Sequence, residues 1–96
     1  MPNSYGGSTA ANESSEQTVF SSGPLPPWAT VTLTGSVPFS WECIGAGAPW
    51  TTQGNSEQDG AKFTANVFAG WTMGFCVINV KASGQQGTVT SSYSFF

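Results

Sequence analysis

Trp71-Thr72-Met73-Gly74-Phe75-Cys76-Val77-Ile78-Asn79-Val80-Lys81 decides the fold. It is the most apolar run of the chain and the longest without a strong turn signal. One phase carries Trp71, Met73, Phe75 and Val77, and the other Cys76, Ile78 and Val80. β-branched and aromatic residues favour a pleated strand. A strand apolar on both phases is normally covered on both faces. The stretch therefore reads as a central strand. Its second face is expected to meet a partner subunit or the folded-back N-terminal segment.

Outward from this strand the chain keeps a period of two. Val31 and Leu33 oppose Thr30, Thr32 and Thr34. Phe39, Trp41 and Cys43 oppose Ser40, Glu42 and Ile44, with Pro38 confining that strand's start to an edge or a bulge. Trp50-Thr51-Thr52 reads as a short strand, and Gly54 to Gly60 as a polar turn region. Phe63, Ala65 and Val67 oppose Thr64, Asn66 and Phe68. Val89, Ser91, Tyr93 and Phe95 alternate to the C-terminus. Ser83 to Gly87 reads as a hairpin-type connection. Candidate neighbours of the central strand are therefore Phe63–Phe68 and Thr88–Phe95. No segment has helical spacing over an adequate length. The expected fold is all-β: a single antiparallel β-sandwich of about six or seven strands.

Residues 1–27 read differently. Met1 to Glu16 is rich in Gly, Ser and Asn, with Tyr5 as its large apolar anchor, and Thr18-Val19-Phe20 suits a short edge strand. Ser21 to Pro27 is stiffened by three prolines that cannot donate to a ladder. The expected organisation is an extended N-terminal arm and Pro-rich connector over 1–27, with the sandwich domain over 28–96.

Ala61 to Phe96 resembles the last strands of bacterial and phage immunoglobulin-like domains: an apolar strand, a Gly turn, a long central strand, a Gly-containing connection and a closing strand. Thr30 to Cys43 resembles the early strands of the same domains. Antibody-type domains place Tyr two residues before the second Cys, where this chain has Gly74. The resemblance implies an immunoglobulin-like sandwich used for adhesion, display or assembly.

Composition narrows the role. The chain has 96 residues, 7% of them charged, and a net charge of -3. Its only basic residues are Lys62 and Lys81. Neutralising several phosphates takes several cations, so neither nucleic acid nor an anionic membrane surface is an expected partner. No apolar run reaches the length needed to span a bilayer. Met1 to Gln17 lacks a basic region followed by an apolar one, so no signal peptide is visible.

Histidine is absent, which removes the usual general base and any Ser-His-Asp triad. Glu57 and Asp59 sit close together with Asn55 nearby, and they read as solvated turn residues. No catalytic residue, cofactor or metal is expected, since two cysteines without histidine fall short of a zinc shell. Cys43 and Cys76 are a candidate inter-sheet disulfide, with two buried free thiols as the alternative.

Low charge combined with 14% aromatic residues implies a partly apolar surface, and such surfaces usually mark interfaces. Tyr5, Phe20, Trp28, Trp50, Phe68 and Phe96 are the interaction candidates. The expected function is a non-enzymatic structural protein of a larger assembly, such as a phage capsid decoration or cement protein on a virion surface. Its arm would contact neighbouring subunits, and its partners would be homo-oligomer, capsid or filament proteins. The alternatives are an extracellular filament or pilus subunit, an adhesin domain, or a carbohydrate-binding module whose exposed Trp stacks on a glycan.

Overall fold

Alternating burial builds the strands of the computed structural model, which describes residues 6–22, 30–45, 51–68 and 76–94. In chain order they are β1 (Gly6–Ala11), β2 (Gln17–Ser22), β3 (Thr30–Gly35), β4 (Phe39–Gly45), β5 (Thr51–Asn55), β6 (Glu57–Asp59), β7 (Lys62–Phe68), β8 (Cys76–Ala82) and β9 (Gly87–Ser94). All described pairings are antiparallel. One sheet has the order β1-β9-β3-β7-β6 and the other β2-β8-β4-β5. The inward phases of β3, β4, β7, β8 and β9 fill the space between them: Val31 and Leu33, Phe39 and Cys43, Val67, Ile78 and Val80, Val89 and Tyr93 are all buried. Burying side chains of this size contributes roughly 1.5–3 kcal/mol each.

The pairings are nested. β4 pairs with β5, β3 with β7, β2 with β8 and β1 with β9. They form one long doubled ribbon whose tip lies between β4 and β5. The ribbon is rolled so that β3 also meets β9 and β4 also meets β8. With β6 as an added edge strand, this is the strand order of a jelly roll, two four-stranded sheets wound from Greek keys. It differs from the A-B-E-D and C-F-G sheets of immunoglobulin domains. Local alternation is the same in both folds, which is why the sequence resembles either.

Three further expectations change. The first concerns the arm: within residues 1–27, β1 and β2 lie in the domain, one in each sheet, and Ala11, Val19 and Phe20 are buried. Asn12 makes the corner between them. Its Oδ1 accepts hydrogen bonds from the backbone N–H groups of Ser14 (3.1 Å) and Ser15 (2.9 Å), and its carbonyl accepts one from Ala82 at 2.9 Å. An Asx turn of this kind satisfies a tight bend locally. The boundary proposed at Pro27 lies outside the described residues.

The second concerns the neighbours of the central strand. β8 is internal, as expected, but it lies between β2 and β4. β7 and β9 belong to the opposite sheet, so Ser83 to Gly87 carries the chain across the sandwich and is not a hairpin. Ser83 N–H donates to Pro38 O at 2.9 Å there, and Gly84 takes a φ of 98°, which favours glycine. The third concerns two-sided apolarity. In β8, Cys76, Ile78, Val80 and Ala82 are buried, Val77 and Asn79 are half-buried, and Lys81 is exposed. That is the pattern of a strand with one face on the core. Trp71, Met73 and Phe75 lie outside the described residues.

The polar region Gly54 to Gly60 is also largely strand, with β5 and β6 separated by Ser56. Ser56 holds the chain as it crosses between sheets. Its N–H donates to Phe39 O at 2.8 Å, and its Oγ accepts from Phe39 N–H at 3.0 Å.

Candidate functional site

Register places Thr30 level with Phe68 and Ser94 in one sheet, and Cys76 level with Gly45 and Ser22 in the other. The two rows lie at the same end of the sandwich, because β3 passes into β4 at the opposite end through Gly35 and Phe39.

The outer face of β3 and β9, with the adjoining part of β7, is made of small uncharged groups. Thr30, Thr32 and Thr34 of β3 line up beside Thr90 and Ser92 of β9, and beside Thr64 and Asn66 of β7. Thr32 Oγ1 donates to Asn66 Oδ1 at 3.1 Å, and Thr90 Oγ1 donates to Thr34 O at 3.3 Å. The chain's charged residues avoid this area. In this sheet they are Glu57, Asp59 and Lys62, confined to β6 and the start of β7. Phe68 ends the face and is 54% exposed, the exposed large hydrophobic among the described residues. Of the interaction candidates among the described residues, Phe68 is the exposed one.

Phe20 is not. It is 6% exposed and tilts against Tyr93, with ring centroids 5.8 Å apart. Its position in β2 faces the core, which a short apparent edge strand did not reveal. Tyr5, Trp28, Trp50 and Phe96 lie outside the described residues.

Trp41 makes a second feature. It sits on the inward phase of β4 but is only half-buried. It pairs in register with Gly54, and a Cβ on Gly54 would lie 2.8 Å from the indole ring. The missing side chain lets the ring lie across β5 and close the side of the sandwich. Two shallow clefts flank it. One of about 280 Å³ includes Asn55, Glu57, Thr64 and Asn66. The other, of about 320 Å³, includes Glu16, Ser40, Glu42 and Gln53. An aromatic ring edged by carboxylates, amides and hydroxyls offers stacking and hydrogen bonding together. Sequence phase alone placed Trp41 in the core. Gly54 opposite it was the signal that the ring would reach the edge.

Cys43 and Cys76 are brought together, with their Sγ atoms 3.3 Å apart. Both are fully buried free thiols. They lie on adjacent strands of one sheet, because Cys43 is opposite Ile78 and Cys76 opposite Gly45. The expected inter-sheet placement is therefore corrected. The hydrogen bond between them and then burial push the Cys76 thiol well above its ordinary range, while the same hydrogen bond pulls Cys43 down against its own burial, so the pair holds one proton more tightly than the other.

Glu57 and Asp59 are exposed on β6, opposite Thr64 and Lys62. Among the described residues no three Asp, Glu, Cys or His side chains cluster as a metal site would need. No family model, curated protein or solved structure matches this chain.

Proposed function

We propose that this domain is a non-enzymatic structural protein of a larger assembly, a decoration or cement protein at a virion surface, and that it docks through the outer face of the five-stranded sheet. The observation that carries this reading is the charge-free hydroxyl face of β3 and β9, bordered by exposed Phe68. Lys, Glu and Asp are depleted at interface centres and aromatic residues enriched. Short hydroxyl side chains also lose little rotamer freedom when covered. Jelly rolls occur in viral capsid proteins and in lectins, which supports the reading as a fold-level analogy only. A filament or pilus subunit outside the cell is the alternative kind of assembly that such a face would serve.

The test is sedimentation of the purified chain over a range of concentrations, with negative-stain microscopy, for wild type, Thr32→Lys and Phe68→Ser. Wild type should form concentration-dependent oligomers or ordered particles. Both variants should remain folded monomers, because both positions are on the outer phase. Association that is equally strong in the variants, or wild type that stays monomeric throughout, would overturn the reading.

A carbohydrate-binding role is the second reading, favoured by Trp41 and its polar surroundings. Titration with a panel of oligosaccharides should quench tryptophan emission in wild type and not in Trp41→Phe. An unresponsive wild type would remove it.

A further inference from the structure

The Cys43–Cys76 pair is not explained by packing alone. A thiol is a small hydrophobe, and either position would be filled as well by Ala or Val. Instead two thiols touch at 3.3 Å, in a diagonal cross-strand arrangement between β4 and β8. Each is fully buried, so no other thiol competes for either in the folded chain. The sequence has no third cysteine.

We propose that Cys43 and Cys76 are a disulfide site, closed when the domain meets an oxidising thiol–disulfide pool, and that the bond makes residues 43–76 a covalent ring through both sheets. The ring follows from topology. Between the two cysteines the chain runs through β5 in one sheet, crosses at Ser56, and continues through β6 and β7 in the other before it returns to β8. A bond within one sheet thereby also ties the sheets to each other.

The chemistry needs a disulfide of a small thiol as oxidant. One cysteine thiolate attacks it, which forms a mixed disulfide and releases one small thiol. The second cysteine then attacks the protein-side sulfur and releases the other. Two S–H bonds are lost, one S–S bond forms on the protein, and the oxidant's S–S bond is reduced to two thiols. Burial keeps the oxidant out of the closed core, so the first attack occurs during folding or when the strand ends fray. Cys76 is the first residue of β8, and Cys43 lies two residues before the end of β4. The pair is thus at the end of the sheet where fraying begins.

The lysines make the site easy to read. Trypsin cuts only after Lys62 and Lys81, which places Cys43 in peptide 1–62 and Cys76 in peptide 63–81. Full-length protein is refolded with a mixture of oxidised and reduced glutathione, alkylated, and digested without reductant. The expected result is a monomer lighter by two hydrogens, with those two peptides linked. Its thermal midpoint should be roughly 10 °C or more above that of the same protein with dithiothreitol, given the length of ring closed. The Cys43→Ala/Cys76→Ala variant should show the same midpoint with and without reductant. Two alkylated cysteines after refolding would overturn the proposal. So would linkage found only between two chains, or a linked monomer whose midpoint does not move with reduction.

Discussion

Ser91 Oγ donates a 2.9 Å hydrogen bond to the carbonyl oxygen of Val19, joining β9 of one sheet to β2 of the other. Val19 is the extra residue of a β-bulge, because Thr18 pairs with Asn79 and Phe20 with Ile78. A bulge leaves its residue outside the ladder, and here the carbonyl turns into the sandwich. Gly7 leaves room for it, since a Cβ there would come within 2.6 Å of that oxygen. Among the described residues Ser91 is the buried polar one of the core. Ser91→Ala removes the donor and leaves a buried acceptor unpaired, for a loss of about 1–3 kcal/mol. Urea unfolding of the two proteins under reducing conditions measures it, and equal midpoints would show that the contact contributes nothing.

Deletion of residues 1–22 is expected to abolish cooperative folding. β1 and β2 are the outermost strands of their sheets. Removing them uncovers the edges of β9 and β8 and strips Ala11, Val19 and Phe20 from the core. A circular dichroism melt of the truncated chain should show no sharp transition. A truncated protein that melts as wild type does would mean that these strands are an appendage after all.

Two glycines separate backbone strain from packing. Neither Gly60 (φ 67°) nor Gly84 (φ 98°) has any atom within 4 Å of where a Cβ would sit. Gly60 is in the left-handed region that Asn tolerates, so Gly60→Asn should change stability by less than about 0.5–1 kcal/mol. Gly84→Ala lies further from any well that an L-residue favours and should lose about 1–2 kcal/mol or more. Thermal midpoints that rank the variants the other way would contradict the backbone account.

The reduced domain should lose stability as pH rises past the ordinary thiol pKa of about 8.5. Cys76 keeps its proton when folded, because of its hydrogen bond to Cys43 and its burial, whereas the unfolded chain releases it; Cys43 is pulled the other way by the same hydrogen bond, against its burial, but that gain is complete by the ordinary thiol pKa and leaves the fall above it to Cys76. A raised folded pKa is a contribution fully present below the unfolded value and lost above it. Denaturant midpoints measured from neutral to alkaline pH with reductant should fall more steeply for wild type than for Cys43→Ala/Cys76→Ala. Parallel curves would contradict this.

The sequence made some strands readable and hid others. β3, β4, β7 and β9 alternate large apolar residues with mostly polar ones, so their inward faces could be read off directly, whereas the stretch leading into β8 is apolar on both phases and left its inward face undecided. β1 could not. Gly-Gly-Ser-Thr-Ala-Ala has almost no contrast between its phases, and its order comes from backbone pairing to β9. Asn12 followed by Ser14 and Ser15 was the available hint of a corner. The connection at Ser83 to Gly87 shows a different limit. Glycine and polar residues announce that a strand has ended, but not whether the next strand joins the same sheet. That is decided by the far ends of the chain, where β1 pairs with β9. The same holds for the cysteines: phase showed that both faced inward, and only the strand order put them side by side.

The nested ribbon also governs how the domain can assemble itself. Apart from β4 with β5 and β6 with β7, each pairing joins strands well separated in sequence, and β1 with β9 joins the first strand to the last. Pairings of that kind must close long loops before any contact compensates for the lost chain entropy, and folding slows accordingly, to milliseconds or seconds. The two local hairpins are the natural nuclei. A chain emerging from the ribosome would hold β2 unpaired until β8 had been made, and β1 until the last residues of β9 had followed.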